Sequence, residues 1–367
     1  MMKKKLFYKS FFVLIFPLLT VLLGSGIFQS REAKTLALQD ELSPGSPVTV
    51  VLAIPVPQGA SAAPSESTKE SSLLPGDLIP LRVQLLNEHN KRMLSAPFFY
   101  YDRIQKDGTD YTVYLALLVI PNTYEGSRAY LDIRTDTGGA NNNPGISDLK
   151  LPPRIQLSIT KKAFNAETIA LGPANTDIKT KPDPQKDKEA AELWKLLVAT
   201  KPGLYTTGTF AMPVDSNRRT SFFGDRRIYQ YSNGTLERTI HGGIDFGVPK
   251  GTVVRATAPA LVQMARFRIV TGNTVILQHA PAVYSIYYHM DSLSVKEGDL
   301  IDTGTEIGKS GSTGLSTGPH LHWEFRIQGE FADPDLMVQT APLDKDRILS
   351  KIVPFLENNT DRSAEGR

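Results

Sequence analysis

Residues 318–325 read GPHLHWEF, so two histidines, His320 and His322, lie one residue apart in a short apolar run. In a strand, residues i and i+2 point to the same face of the sheet. The pattern therefore predicts two imidazoles side by side, close enough to share one metal ion and its water. The alternative is that one or both histidines cap the edge of a strand. Ligands elsewhere in the chain have to decide between these two interpretations.

A third histidine, His241, precedes this run by about eighty residues, in the sequence HGGID that ends at Asp245. In a flat strand, residues four apart are separated by roughly 13 Å, which is too far to share an ion. Gly242 and Gly243 remove that objection, because glycine permits a sharp bend that can bring the two side chains together. A glycine-rich turn in which the aspartate makes an Asx-type hydrogen bond is the alternative.

Histidines are crowded in this half of the chain, since five of the six lie between positions 241 and 322. A catalytic zinc ion commonly takes three protein ligands and leaves one position open for water. One aspartate and two histidines meet that number, and a further histidine could accept a proton from the water. His289 is another candidate for a residue of this site, and the alternative is a strand-end histidine with a satisfied hydrogen bond. We predict that structural role for His279 and an exposed loop position for His89.

Composition limits the chemistry that the chain can use. It has 367 residues, 41% of them apolar, and a formal net charge of +3, which gives no indication of a nucleic-acid partner. It contains no cysteine. Disulfides, lipoprotein acylation, thiolate ligands and a cysteine nucleophile are therefore excluded. A metal site in this protein must be built from histidine, aspartate and glutamate.

The N-terminus has the features of a secretory signal. Three lysines precede an apolar run over residues 11–23, and small residues follow it. An uncleaved signal anchor is the alternative, because apolar residues continue to position 28 and approach the length of a membrane span. Either interpretation places the bulk of the chain outside the cytoplasm, in the periplasm or cell envelope, with an inner-membrane tether if the segment is retained.

The rest of the chain is predicted to be mainly β. Short runs of β-branched and aromatic residues with turns between them indicate a β-sandwich, followed by a linker and a second, glycine-rich β region. Within the linker, Asp183 and Pro184 are typical of the N-cap and first position of a helix. The predicted organisation is a signal peptide or signal anchor (1–30), a tether (31–46), a sandwich (47–170), a linker (171–207) with a helix (184–200), an antiparallel β domain (208–340) and a C-terminal tail (341–367).

Other catalytic signatures are missing. The chain contains neither the H-E-x-x-H motif nor the G-x-S-x-G motif. Residues 308–310 read GKS, as at the end of a phosphate-binding loop, but Thr303 stands where the first glycine of that motif is required. We therefore interpret residues 308–318 as a loop that borders the site.

Three motifs in this order, His241-x-x-x-Asp245, Tyr288-His289-Met290 and His320-Leu321-His322, resemble the zinc metallopeptidases of family M23, the lysostaphin or LytM type. Residues 221–226, 272–277, 296–299 and 314–322 fit the same family. The resemblance covers about residues 210–337. The β region and the linker helix before it are similar, more loosely, to the N-terminal Ig-like domain of exported M23 peptidases.

The resemblance implies a role for each residue. His241, Asp245 and His322 would hold one Zn²⁺ per chain, and His320 would act as the general base on the metal-bound water. His289 would position or stabilise the oxyanion formed at the attacked carbonyl. The family cleaves peptide bonds in the stems or cross-links of bacterial peptidoglycan, which would be the partner of this chain. Its catalytic domain is an antiparallel β structure with the site in a groove.

Two departures from the family pattern are visible. Met290 replaces the usual leucine, and an insertion over residues 228–239 could shape or cover the groove. Some family members have lost ligands and only regulate other hydrolases, so a non-catalytic wall-binding protein that activates another cell-wall hydrolase is the alternative function. The complete ligand set argues against it. A structural envelope protein that docks a partner through its sandwich is a third hypothesis.

Overall fold

The computed structural model describes residues 31–38, 41–56, 73–136 and 149–358. The predicted signal peptide or anchor lies outside these ranges. Within the described ranges, no helix combines the length and the apolar character that crossing a membrane requires. The described part contains 23 strands and four helices, in agreement with the predicted mainly-β class.

Two sets of strands, separated by helices, make up the chain. The first set is β1 (Arg31–Glu32), β2 (Lys34–Ala37), β3 (Pro47–Pro55), β4 (Leu78–Asn87), β5 (Arg92–Lys106), β6 (Thr109–Val119), β7 (Arg128–Thr135), β8 (Leu149–Lys150), β9 (Ile155–Ser158) and β10 (Ala166–Ala170). Helices α1 (Pro173–Thr180) and α2 (Pro184–Val198) follow. The second set begins with β11 (Arg219–Ser221), β12 (Arg226–Gln230), β13 (Leu236–Ile240), β14 (Gly243–Phe246), β15 (Val253–Arg255), β16 (Ala260–Arg268) and β17 (Gly272–Ala280). It ends with β18 (Val283–Met290), β19 (Ser292–Leu293), β20 (Leu300–Ile301), β21 (Glu306–Lys309), β22 (Leu321–Ile327), β23 (Glu330–Ala332), α3 (Pro334–Thr340) and α4 (Lys345–Asn358).

Most strands of the N-terminal region form a seven-stranded antiparallel sheet in the order β2-β3-β6-β5-β4-β7-β9, and β1 pairs in parallel with β8. Six of its seven strands contribute side chains to one buried apolar cluster, so the sheet folds around that cluster. The register between β5 and β6 shifts near Tyr100 and Asp102, and such irregularities let a long strand bend. The two strands are joined by Asp107 and Gly108, with φ of 49° and 74°, and two positive φ angles are what a type I′ hairpin turn requires.

The prediction of a tether at residues 31–46 was wrong. Strand β2 pairs with β3, and a bridge joins Leu42 to Ile159. Ala33 and Leu38 are buried. The segment is short and contains several polar residues, but its few apolar side chains extend the sheet and its core.

The linker is more ordered than its composition indicated. The predicted helix is present as α2, and the side chain of Asp183 accepts a hydrogen bond of 2.8 Å from the backbone N–H of Gln185. Leu197 of α2 is buried against the C-terminal sheet, whereas Trp194 remains 56% exposed. The residues before α2, predicted to be irregular, contain helix α1. Strand β10 falls in the range predicted as sandwich, but it pairs in parallel with β12 and not with the N-terminal sheet. The linker therefore begins at residue 166 in the structure.

The C-terminal region is built on an eight-stranded sheet, in the order β11-β14-β22-β18-β17-β16-β20, in which β23 also pairs with β22. Two three-stranded sheets, β10-β12-β13 and β15-β21-β19, accompany it. Strand β22 begins at Leu321 and carries His322, with His320 directly before it, and it pairs with β14 and β18. This arrangement brings all three motifs of the sequence onto adjacent strands.

The prediction of a tail at residues 341–367 was also wrong for its described part. Helix α4 buries Ile348, Ile352 and Leu356, which recur every four residues and form one apolar face. Just before the helix, the carbonyl oxygen of Leu343 accepts a hydrogen bond of 2.9 Å from the hydroxyl of Tyr101. The C-terminal helix therefore packs against the N-terminal sheet and joins the two regions.

Candidate metal centre

Strand register brings Asp245 and His322 together. In the antiparallel pair β14 and β22, Asp245 lies directly opposite His322. On the other side of β22, Tyr288 of β18 also lies directly opposite His322. Opposite residues of an antiparallel pair point to the same face with their Cβ atoms about 5 Å apart. The ring of Tyr288 stacks on that of His322, with a centroid distance of 5.2 Å. Residues more than seventy positions apart in sequence are thus neighbours because of the sheet.

His241 reaches the same point from a break between two sheets. Strand β13 ends at Ile240 and β14 begins at Gly243, so the chain changes sheets at His241 and Gly242. A Cβ atom on Gly243 would lie 2.2 Å from the backbone oxygen of Trp323, so only glycine allows this approach. The two glycines therefore permit the change of direction that the sequence required for a shared site.

Three potential ligand atoms converge at this point. Nε2 of His241 lies 3.1 Å from Oδ1 of Asp245 and 3.0 Å from Nδ1 of His322. Nδ1 of His322 lies 2.8 Å from the same carboxylate oxygen. Within the described residues, these three side chains form a group that could hold a metal ion, and all three are buried. The structure thus places the three predicted ligands together.

The outer hydrogen bonds of the two histidines fix which ring nitrogens carry a lone pair. Nδ1 of His241 lies 2.8 Å from the carbonyl oxygen of Phe222, so it donates and leaves a lone pair at Nε2. Nε2 of His322 lies 3.2 Å from a carboxylate oxygen of Glu324, so it donates and leaves a lone pair at Nδ1. Two lone pairs and the carboxylate of Asp245 then face one another with no hydrogen between them. Such a set needs a cation, and two nitrogens with one oxygen suit zinc.

The pKa of His322 is raised because its surroundings favour a positive charge on the ring. Burial alone lowers it, but the hydrogen bonds to the carboxylates of Asp245 and Glu324 raise the pKa of His322 to about 9. For Asp245, burial on its own would raise the pKa, but His241 and His322 hold that pKa well below its ordinary value. A proton on Nδ1 of His322 and a metal ion at the same nitrogen are therefore alternatives.

Two residues that the sequence analysis did not assign complete the surroundings of the ligands. Glu324 orients His322, and it lies two residues further along the same strand, so the rule that placed His320 beside His322 could have found it. Arg227 donates a hydrogen bond of 2.8 Å to Oδ2 of Asp245, the oxygen that faces away from the other two ligands. No local pattern in the sequence indicates that contact, because Arg227 lies on another sheet.

His320 lies beside the ligand group without joining it. Its Nδ1 lies 2.8 Å from the carbonyl oxygen of Gly318, so it donates there, and the neutral ring carries a lone pair at Nε2. That Nε2 lies 3.9 Å from Oδ1 of Asp245. The ring therefore presents a proton acceptor next to the three ligand atoms.

His289 is held in a strained backbone conformation. Its φ is 60°, which is uncommon for a residue other than glycine and costs on the order of 1–2 kcal/mol. The break in strand alternation turns its ring toward His320, at a centroid distance of 4.7 Å, although Tyr288 before it also faces the site. Nδ1 donates to the carbonyl oxygen of Thr313 at 2.9 Å, which leaves a lone pair at Nε2. Burial, then His320, lower the pKa of His289 to about 3, so the ring is neutral at pH 7.

A small cavity of about 100 Å³ opens onto these side chains. Ile169 and Leu171 of the linker and Tyr229 of the insertion line one part of it, and residues 315–317 line another. The predicted loop at 308–318 therefore does border the site, and the insertion predicted to shape the groove contributes to its wall. The linker is an additional contributor that the sequence did not reveal.

The remaining two histidines are outside the site. His279 is buried, with Nδ1 3.0 Å from the carbonyl oxygen of Pro259 and Nε2 2.8 Å from the hydroxyl of Ser285. This agrees with the structural role predicted for it. His89 is exposed in the loop between β4 and β5, also as predicted.

Comparison with known proteins identifies the fold around this group. A model described as "Peptidase family M23" matches residues 239–334, which include all three ligand positions. This segment is an M23 peptidase domain. The family resemblance drawn from the motifs is thereby confirmed.

Relatives of the M23 domain carry named activities. The peptidoglycan DD-endopeptidase ShyA of Vibrio cholerae is 38% identical over 118 residues, 32% of this chain and 27% of the relative. The DD-carboxypeptidase/endopeptidase Mpg of Neisseria meningitidis is 43% identical over 103 residues, 28% of this chain and 24% of the relative. The chain therefore spans about a quarter of the length of these two curated relatives.

A solved structure of a zinc-containing peptidase from Vibrio cholerae is 33% identical to this chain. The match covers 34% of this chain and 39% of that one, with a TM-score of 0.31.

Proposed function

We propose that the chain is an exported zinc endopeptidase that hydrolyses peptide bonds in bacterial peptidoglycan. The observation that carries the proposal is the set of three converging acceptor atoms on His241, Asp245 and His322, with the free lone pair of His320 beside them. A metal ion satisfies the first three, and a base for water is then already in place. The lysine-flanked apolar N-terminus supports export to the cell envelope.

Zinc, when held by His241, Asp245 and His322, would supply Lewis acidity that polarises a carbonyl and makes water a nucleophile at neutral pH. The chain's own residues have separate tasks. His320 would take a proton from the attacking water at Nε2, because its other nitrogen is committed to Gly318. Neutral His289 would orient that water through its Nε2 lone pair. To donate to the oxyanion instead, its ring would have to carry a second proton.

The bond that is cut is the finer part of the proposal. Two sequence relatives are named for DD-endopeptidase or DD-carboxypeptidase/endopeptidase activity, which supports a bond between D-residues in the cross-link. The small cavity, lined by residues of the linker and of the loop at 315–317, favours a narrow substrate. Cross-linked muropeptides of defined structure are therefore the substrates to test.

The experiment is digestion of purified cross-linked muropeptides, with the products identified by mass spectrometry. The full chain should split dimers into monomers, and a chelator should stop this. His320→Ala should retain zinc and lower kcat by about 10²- to 10⁴-fold, the usual contribution of a general base. His89→Ala, a substitution of the exposed loop histidine, should cut at the wild-type rate.

Three outcomes would contradict parts of this proposal. Wild-type cutting by His320→Ala would remove the base assignment. Cutting that persists in chelator would remove the metal mechanism. If the zinc-loaded chain left every dimer intact but stimulated a second wall hydrolase, the non-catalytic alternative would replace the enzymatic one.

A further inference from the structure

Asp245 is held from behind by a chain of contacts that begins in the linker. Oδ1 of Asp245 faces the two ligand histidines, and Oδ2 accepts a hydrogen bond of 2.8 Å from Nη2 of Arg227. The Nε of the same guanidinium donates to Oε1 of Glu167 at 2.6 Å. Glu167 belongs to β10 and lies directly opposite Arg227 in the parallel pair β10 and β12. One arginine thus joins a linker carboxylate to a potential metal ligand.

The guanidinium of Arg227 is buried within this arrangement, whereas Glu167 is partly exposed. The side chain of Arg227 is only 11% exposed, and the hydroxyl of Ser221 contacts both Arg227 and Glu167. A buried guanidinium requires paired carboxylates, and here it has two. Both Glu167 and Arg227 lie outside residues 239–334, the segment that matches the peptidase family. The linker and the β12–β13 hairpin therefore supply a support that the matched segment lacks.

Charge and geometry give the two residues different tasks. Arg227 fixes Oδ2, so Asp245 is available to a metal ion through Oδ1 alone. A guanidinium beside a divalent cation is electrostatically unfavourable, however, and the carboxylate of Glu167 offsets that charge. Glu167 also fixes the orientation of the guanidinium, because it accepts from Nε while Asp245 accepts from Nη2.

We propose that Glu167, acting through Arg227, is a positioning residue for the metal site, so that the linker strand sets how tightly the site holds zinc. Residues that orient metal ligands typically contribute 10- to 100-fold to metal affinity. Glu167 touches neither the metal position nor the substrate cavity. Its effect should therefore appear in zinc affinity, in a metal-free chain that still folds.

The molecule offers a matched control for this contact. Glu192 of α2 pairs with Arg266 of β16, so it is a second glutamate–arginine pair between the linker and the C-terminal sheet. The two glutamates are similarly exposed, 36% for Glu167 and 40% for Glu192. Among the described residues, Arg266 pairs with Glu192 and lies opposite Thr274 in the sheet, and neither of these is a proposed metal ligand. Glu192→Gln therefore breaks a linker contact without touching the site.

The experiment measures the zinc dissociation constant of the full chain by competition with a chromophoric chelator. Glu167→Gln should raise the constant about 10-fold, and Arg227→Met by about 10- to 100-fold. Glu192→Gln should leave it unchanged. Arg227→Lys keeps the charge but cannot bridge two carboxylates in a fork, so it should also bind zinc more weakly than the wild type. Urea unfolding of each metal-free variant checks that the fold is retained.

The sign of the Arg227→Met result separates positioning from charge. If Arg227 only repelled the cation, its removal would tighten zinc binding, and that result would overturn the proposal. A double variant, Glu167→Gln with Arg227→Met, should lose no more affinity than Arg227→Met alone, because Glu167 acts through the arginine. Losses that multiply would also overturn it.

The inference rests on the proposed zinc site, but its failure can be told apart from failure of the proposed function. If the wild type binds zinc and cuts muropeptides while Glu167→Gln binds zinc equally well, only the positioning role is wrong. If the wild type neither holds zinc nor cuts, the proposed function is wrong.

Discussion

His322 and His279 are both buried in the same sheet, yet their surroundings differ. His279 donates to or accepts from neutral groups only, and Ser285 continues its hydrogen bonding to the hydroxyl of Tyr287. His322 lies between the carboxylates of Asp245 and Glu324. Burial lowers the pKa of His279 to about 4, whereas the carboxylates overcome burial and raise that of His322 to about 9. The two carboxylates that flank His322, and not its burial, distinguish the proposed metal site from the region around His279.

The largest expected effect comes from removing His322, the histidine that lies between two carboxylates. His322→Ala deletes one of three ligands, so zinc affinity should fall by more than the ~100-fold that follows loss of a residue that only supports a ligand. Muropeptide cleavage should fall to background. Zinc per chain, measured on the purified variant by atomic emission, checks this, and full occupancy in the variant would contradict the ligand assignment.

Lowering the pH should destabilise the folded chain through His279, the histidine that has only neutral hydrogen-bond partners. His279 stays neutral in the folded chain down to about pH 4 but is protonated in the unfolded chain below about pH 6.5. The unfolded chain then binds the additional proton, so stability is full above pH 6.5 and declines as the pH falls toward 4. The decline from this group is roughly 3 kcal/mol over that window.

Urea unfolding at a series of pH values measures the decline. The comparison is between the wild type and His279→Gln, which cannot titrate in this range. The variant should show a flatter pH dependence between pH 6.5 and 4. Parallel curves for the two proteins would show that His279 is not the group responsible.

A smaller effect is expected when His279 is replaced by an apolar residue at neutral pH. His279→Leu leaves the hydroxyl of Ser285 and the carbonyl of Pro259 without this partner, which should cost about 1–3 kcal/mol of folding free energy. Zinc affinity and kcat of the folded variant should match those of the wild type. A loss of zinc with unchanged stability would reverse the roles assigned to the two regions.

The sequence was informative where function depends on closely spaced residues. The spacing of His320 and His322 predicted that both side chains lie near one site, and the glycines after His241 allowed its approach to Asp245. The same alternation would have found Glu324. Helix α4 could have been recognised from the four-residue recurrence of Ile348, Ile352 and Leu356.

Other features depend on pairing between distant strands and could not be predicted in this way. Glu167 meets Arg227 only because β10 pairs with β12, a contact between the linker and an insertion. The orientation of His289 depends on one positive φ near the end of β18, beside a register shift between β18 and β17. The continuous seven-stranded N-terminal sheet depends on the bending of long strands, which alternation alone does not specify.

The most direct test of the central claim is a titration of the metal-free chain with zinc while cleavage of a purified cross-linked muropeptide dimer is followed. Cleavage should be absent without metal, rise in proportion to zinc and reach its plateau at one equivalent per chain. Cleavage by the metal-free chain, or none at one bound equivalent, would contradict the claim that His241, Asp245 and His322 form the catalytic zinc site.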